Sequence, residues 1–203
     1  MKIAIIYYSA TGTNHQMAKW AAEAAKSNGD HDVRLRKLKE TAPMEAIESN
    51  DAWKKHYKET QDVEVAELDD LDWADAIIFS IPTRYGNLPS QLQAFFDTTG
   101  GLWSKGKLIN KVVSGMTSAQ NPHGGQETTL LSLYKSMFHW GAIVAAPGYT
   151  SEELFKTGGN PYGFSSEGGV DNLNEQSKTS ITHQVKRTIN IAESIKSGMS
   201  DAS

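Results

Sequence analysis

The 203-residue chain contains no cysteine, which excludes disulfides, thiolate metal sites and cysteine nucleophiles. Long apolar runs are missing too. The first, Ile3 to Tyr8, is too short for the core of a signal peptide and far too short for a membrane span. With no export signal and no span, the expectation is a cytoplasmic protein with no membrane association. Excess positive charge is also lacking. Twenty Lys and Arg stand against 24 Asp and Glu, for a net charge of −4. No basic stripe is present to neutralise phosphates, so nucleic acid is not an expected partner. His15, His31, His56, His123, His139 and His183 show no i,i+4 pair or other ligand spacing, and no metal site is expected. Ser9 has no G-x-S-x-G setting, which argues against a hydrolase elbow.

What is present is an ordinary soluble balance, 38 % hydrophobic and 22 % charged, in a chain long enough to bury a full core. Runs with strand character recur at Ile3–Tyr8, Ala76–Ile81, Lys111–Met116 and Gly141–Ala146, with a weaker alternating one at Asp32–Leu38. Runs apolar on both faces predict parallel strands covered by helices on each side. Helical stripes lie between them. Met17, Ala21, Ala22 and Ala25 form one, and Leu130, Leu133, Tyr134 and Met137 another. The last stripe is Ile181, Val185, Ile189, Ala192 and Ile195, ending near Gly198. The class is therefore α/β, a doubly wound sheet. One domain is expected over 1–198, with a tail at 199–203. Two stretches break the pattern. Residues 40–72 are polar and charged, with one helical turn expected around Trp53 and Tyr57. Residues 147–173 hold six glycines and two prolines, a long loop of the kind that is usually functional or disordered. The acidic run Asp62 to Asp75 is expected to be a solvated face.

Three segments at the ends of expected strands carry the chemistry. After the first come Ser9, Ala10, Thr11, Gly12, Thr13 and Asn14, and a helix begins at once. Hydroxyls and a glycine at a strand-to-helix turn can cradle an anion, because the helix start offers free N–H groups and the positive dipole end. The plain alternative is that Thr13 and Gln16 form a capping box. The spacing matches neither GxGxxG nor GxxxxGK[ST], so a single phosphate such as that of FMN fits best. The third strand ends in Pro82, Thr83, Arg84, Tyr85, Gly86 and Asn87, either a turn presented to a flat ring or an ordinary turn capped by Asn87. The fourth ends in Thr117, Ser118, Ala119, Gln120 and Asn121, with Gly124 and Gly125 following. Small residues there let backbone amides approach a ligand. Ligands of doubly wound sheets bind at these strand ends.

With these motifs in view, the sequence resembles the WrbA family of flavodoxin-like NAD(P)H:quinone oxidoreductases. The resemblance runs from YYSATGTN through PTRYGNLPSQLQAFFDTTGGLW, TSAQNPHGGQETT and HWGAIVAAPGY to GGNPYG. It implies a flavodoxin-like five-stranded parallel sheet in the order 2-1-3-4-5. It also implies an FMN-dependent homo-tetrameric enzyme that passes two electrons from NAD(P)H to quinones. By matching positions, Ser9 to Asn14 would hold the FMN phosphate. Thr83 to Tyr85 and Ser118 to Asn121 would contact the flavin, and His139 would border its pocket. Trp103 would lie over the substrate side and Thr11 near the nicotinamide nucleotide. The third loop departs from the family's glycine-rich pattern, and Trp140 stands where some members have a second histidine.

The expected reaction is ping-pong. The flavin carries the chemistry and no protein residue acts as nucleophile or required acid. A flavodoxin-type electron carrier serving a protein partner is the alternative, as is a scaffold holding FMN structurally. No basic cluster in the sequence marks a site for a 2′-phosphate.

Overall fold

Side chains that are apolar on both faces drive three segments into the middle of one sheet, and an alternating fourth takes one edge. In the computed structural model, which describes residues 1–200, the strands are β1 (Lys2–Tyr7), β2 (Asp32–Lys37), β3 (Ala76–Pro82) and β4 (Val112–Ala119). A two-residue β5 (Ile143–Val144) completes the parallel order β2-β1-β3-β4-β5. Every residue of β3 and β4 is buried. Successive side chains alternate between two cores, as the period of a strand requires. Ile3, Ile5 and Tyr7 point to one face, where α1 (Thr13–Ser27) and α8 (Glu175–Ser200) lay down Met17, Ala21, Ile181, Val185 and Ile189. Ala4 and Ile6 point to the other, which Leu92 of α5 (Ser90–Asp97) shares with Leu130, Leu133 and Met137 of α7 (Gln126–Trp140).

The outer edge of β4 differs from the expected single fifth strand. β5 pairs only with Val112 and Val113, and the chain then leaves the sheet. It returns as β6 (Ser165–Glu167), parallel to Thr117–Ala119. Side chains satisfy the backbone groups left in the gap. The Gly115 amide donates to the Tyr134 hydroxyl at 3.2 Å, and the fully buried Gln184 donates to the Gly115 carbonyl at 2.8 Å. Unpaired buried backbone groups would otherwise destabilise this edge.

The excursion holds more structure than one helical turn. It forms α2 (Met44–Glu48), α3 (Asp51–Glu59) and α4 (Leu68–Trp73), and Val65 bridges to Lys37 beside β2. Nor is the acidic run simply solvated. Asp70 is 3 % exposed and accepts from Arg34 at 3.0 Å and Arg36 at 3.2 Å, while Arg34 lies 4.0 Å over the Trp73 ring. The last helix passes Gly198 and reaches Ser200, within the stretch expected as tail. The remainder of the expected tail, 201–203, lies outside the described residues. No described helix is long and apolar enough to cross a membrane.

Candidate functional site

The three strand-end loops converge on one cavity of about 560 Å³ at the carboxyl edge of the sheet. That volume is in the range of small-molecule and cofactor sites. From the first loop, Ser9, Ala10, Thr11, Thr13 and Asn14 line it; from the second, Pro82, Thr83, Arg84 and Tyr85. Ser118, Ala119, Gln120, Asn121 and Gly124 complete the wall from the third.

At the first loop, Gly12 is the residue before α1, in the left-handed conformation at φ 104, and no side chain caps the helix. Thr13 is the first helical residue, so the capping box does not form. The first amides of α1 have no intrahelical acceptor and remain available to an anion. The Ser9 hydroxyl accepts from the Gly12 amide at 3.0 Å and closes the loop. Asn14, 2 % exposed, ties the loop inward. Its side chain donates to the Ser118 hydroxyl at 2.7 Å, and its carbonyl accepts from Ser80 at 2.9 Å.

The second loop turns back through Tyr85 at φ 53 and Gly86 at φ 75, with Arg84 and Asn87 exchanging backbone hydrogen bonds. Positive φ at two successive residues leaves the Tyr85 ring fully exposed on the rim. Gly125 packs against Gly86 so closely that a Cβ on it would sit 2.6 Å from the Gly86 Cα. The Thr83 hydroxyl accepts from the Gly86 amide at 3.1 Å and donates to the Gly124 carbonyl at 3.3 Å, locking the second loop to the third.

Six of the expected site residues do not line this cavity, Gly12 among them, which shapes the first loop and faces its other side. Thr117 is fully buried within β4, and Gly86 and Asn87 shape the turn without lining the cavity. Trp103, on α6 (Gly100–Ser104), and His139, in the last turn of α7, are exposed. They meet each other, the Trp103 indole donating to the His139 carbonyl at 2.9 Å. Since α7 starts beside the cavity and runs 15 residues back, its end lies roughly 20 Å away, near the amino edge of the sheet. Sequence reasoning missed Gly168 and Gly169, which close the cavity from the long loop; the Gly169 amide donates to the Thr13 hydroxyl at 3.2 Å. Their only signal was the paired glycine. Glu40 was missed as well. Its carboxylate accepts from Tyr8, Trp53 and Gln91, tying α3 and α5 to the end of β1. Burial and the Glu40 charge push the Tyr8 phenol well above its ordinary range, so it stays protonated.

The residues fit the phosphate and flat ring of FMN: an uncapped helix start, hydroxyls with protons to donate, and small residues where a ring would approach. Neither a carboxylate nor an imidazole lines the cavity. Fold and site together define a flavodoxin-like α/β protein. A solved WrbA-like flavodoxin from Agrobacterium tumefaciens superposes with a TM-score of 0.65 at 22 % identity, over 95 % of this chain and 98 % of that one. An archaeal flavodoxin does so at 0.56 and 17 % identity, over 97 % of this chain and 99 % of that one. Residues 1–155 match the model of the NADPH-dependent FMN reductase family. The chain is 53 % identical over 191 residues to an NAD(P)H dehydrogenase (quinone) of Deinococcus radiodurans, covering 94 % of this chain and 95 % of that one. It is 40 % identical to one of Caulobacter vibrioides, covering 89 % and 90 %. The chain belongs to the NADPH-dependent FMN reductase family, in its WrbA-type branch.

Proposed function

We propose that this protein catalyses the two-electron reduction of quinones by NAD(P)H on bound FMN. The observation that carries it is the three-loop cavity at the uncapped start of α1, set in a chain of this family. When bound, FMN supplies reversible acceptance of an electron pair, as hydride from the nicotinamide and then outward to the quinone. Ser9, Thr11 and Thr13, with the first amides of α1, hold the phosphate. Backbone amides of the second and third loops would address the polar edge of the ring, and the small Ala119, against which Gly124 packs, would leave room for it. Neither a carboxylate nor an imidazole of the chain lines the cavity, and a reduced quinone can take its protons from water.

The reading extends to a ping-pong order, a cytoplasmic setting and a homo-tetramer. Support for an assembly is the exposed apolar cluster at the far end of the molecule. Trp103 is 58 % exposed, Phe138 67 % and Ile109 57 %. Single exposed apolar residues are ordinary, but these lie on neighbouring segments, Trp103 bonded to His139 beside Phe138 and Ile109 close to Gly141, which favours an interface. Trp103 and His139 lie too far from their own cavity to wall it, so in this reading they serve a neighbouring copy's.

Steady-state oxidation of NADH and NADPH by FMN-loaded protein with benzoquinone is the test. Turnover with parallel double-reciprocal lines is expected. Intersecting lines would overturn the ping-pong order, and absence of turnover would leave an electron carrier.

A further inference from the structure

A second cavity, also about 560 Å³, lies on the other side of the first loop, between α1 and α3. Thr11 lines both cavities. Gly168 and Gly169 line the first and the next residue, Val170, lines the second, so only the tips of two loops separate them. Gly12 is the point of closest approach: a Cβ there would stand 3.2 Å from Val170 and 3.6 Å from His56.

The walls of this second cavity combine flat rings with two ammonium groups and one carboxylate, that of Glu59. His15 stacks on Tyr7 at 4.7 Å and meets His56 at 5.2 Å. Burial, then the neighbouring His56 and Lys19, lower the pKa of His15 to about 4. Burial likewise lowers that of His56, outweighing the opposing charge of Glu59. Both rings are therefore neutral at pH 7 and offer hydrogen-bonding edges with no charge. The positive charge comes from Lys19 and Lys55, both exposed where they line the cavity. Among the described residues Lys19 forms no ion pair, and Lys55 has only a distant one to Glu59 at 3.9 Å. Lys19 is six residues from Thr13 on α1, about 9 Å along the axis from the helix start.

We infer that this cavity receives the adenosine end of the nicotinamide nucleotide, with Lys19 and Lys55 binding its 2′-phosphate, so that the enzyme prefers NADPH to NADH. The inference rests on the quinone-reductase reading for its donor. A dinucleotide is a two-ended ligand, and at Thr11 two cavities of this size share a wall residue on the first loop. A plain adenosine ribose would leave both ammonium groups unused, whereas a phosphate accepts charge-assisted hydrogen bonds from each. Lys19 lies on α1 and Lys55 on α3, within the polar excursion, which is why no basic cluster is visible along the sequence.

The test uses FMN-loaded protein and two probes, adenosine 2′,5′-bisphosphate and adenosine 5′-monophosphate, titrated calorimetrically at low salt. Wild type should bind the bisphosphate at least about tenfold more tightly, about tenfold being the ratio expected of the first of the two charge-assisted contacts alone. Lys19→Gln/Lys55→Gln should abolish that difference and lower the NADPH-to-NADH ratio of kcat/KM by about the same factor. FMN titration and thermal unfolding of the same preparation report whether the variant is intact. Equal affinity of wild type for the two probes would overturn the inference, and that comparison needs no variant. A double variant that kept the preference would overturn it equally. Should wild type oxidise neither nucleotide with benzoquinone, the enzymatic reading fails, while the adenylate titration still decides the cavity.

Discussion

At Thr13 the hydroxyl oxygen accepts from the Gly169 amide, which leaves its own proton free for an acceptor in the cavity. One side chain thus pins the long loop and, in the proposed reading, would address the FMN phosphate. A hydrogen bond to a charged group contributes roughly 1.5–3 kcal/mol. Thr13→Ala should therefore weaken FMN about ten- to a hundredfold. Riboflavin, which lacks the phosphate, should lose only what the freed loop costs, and Thr13→Ser should restore most of the FMN affinity. Flavin fluorescence titrations with both ligands measure this. Equal losses for FMN and riboflavin would reduce Thr13 to a loop anchor.

Among the elements, α4 shows how a charged segment is held by ion pairs as well as by its apolar side, where Leu71 is fully buried. Along β2, Val33 and Leu35 turn toward the α1 core, while Arg34 and Arg36 turn the other way and grip Asp70. Asp70 also accepts from the Glu67 amide at 3.0 Å and caps its own helix. Because both arginines are partly solvated, Asp70→Asn should cost about 1–3 kcal/mol, less than a fully buried pair would. Asp69→Asn, with a side chain 75 % exposed, should cost under about 0.5 kcal/mol. Urea unfolding of the two variants checks the contrast, and equal values would mean that the anchor is not Asp70. The alternation in β2 was legible in the sequence, but its arginine face had no visible partner, since the pairing is tertiary. The same limit explains β6. Ser165, Ser166 and Glu167 carry no apolar pattern, and they form a strand only because the edge of β4 is open beside them. The central strands were legible because burial on both faces leaves a continuous apolar run; their order came with the family resemblance. The phosphate loop was legible because a strand-to-helix turn places its hydroxyls by itself. The second cavity was not, as Lys19 and Lys55 come from helices far apart in the chain.

For the whole molecule, the sheet separates two ends that the sequence had placed in one site. The cavity lies at the carboxyl edge; Trp103 and His139 lie near the amino edge, bonded to each other and exposed. Within one chain they cannot touch the same ligand, so a role for Trp103 over the flavin requires a second copy. Gly100 and Gly101 precede it with nothing within 4 Å of a would-be Cβ, which leaves the short α6 room to meet a partner. Buried aromatic anchors at interfaces commonly cost 2 kcal/mol or more on truncation. If Trp103 walls a neighbour's slot, Trp103→Ala should lower kcat/KM for benzoquinone by about tenfold or more. FMN affinity should stay within about twofold, because every cavity residue of the chain itself is untouched. Size-exclusion chromatography on the same preparation separates the two ways this could happen. An intact assembly with reduced activity places the indole over the substrate. Smaller species whose activity falls in proportion make it an interface anchor. A variant that keeps its assembly, its FMN and its full quinone turnover would remove Trp103 from the site, and with it the reason to build that site from two chains.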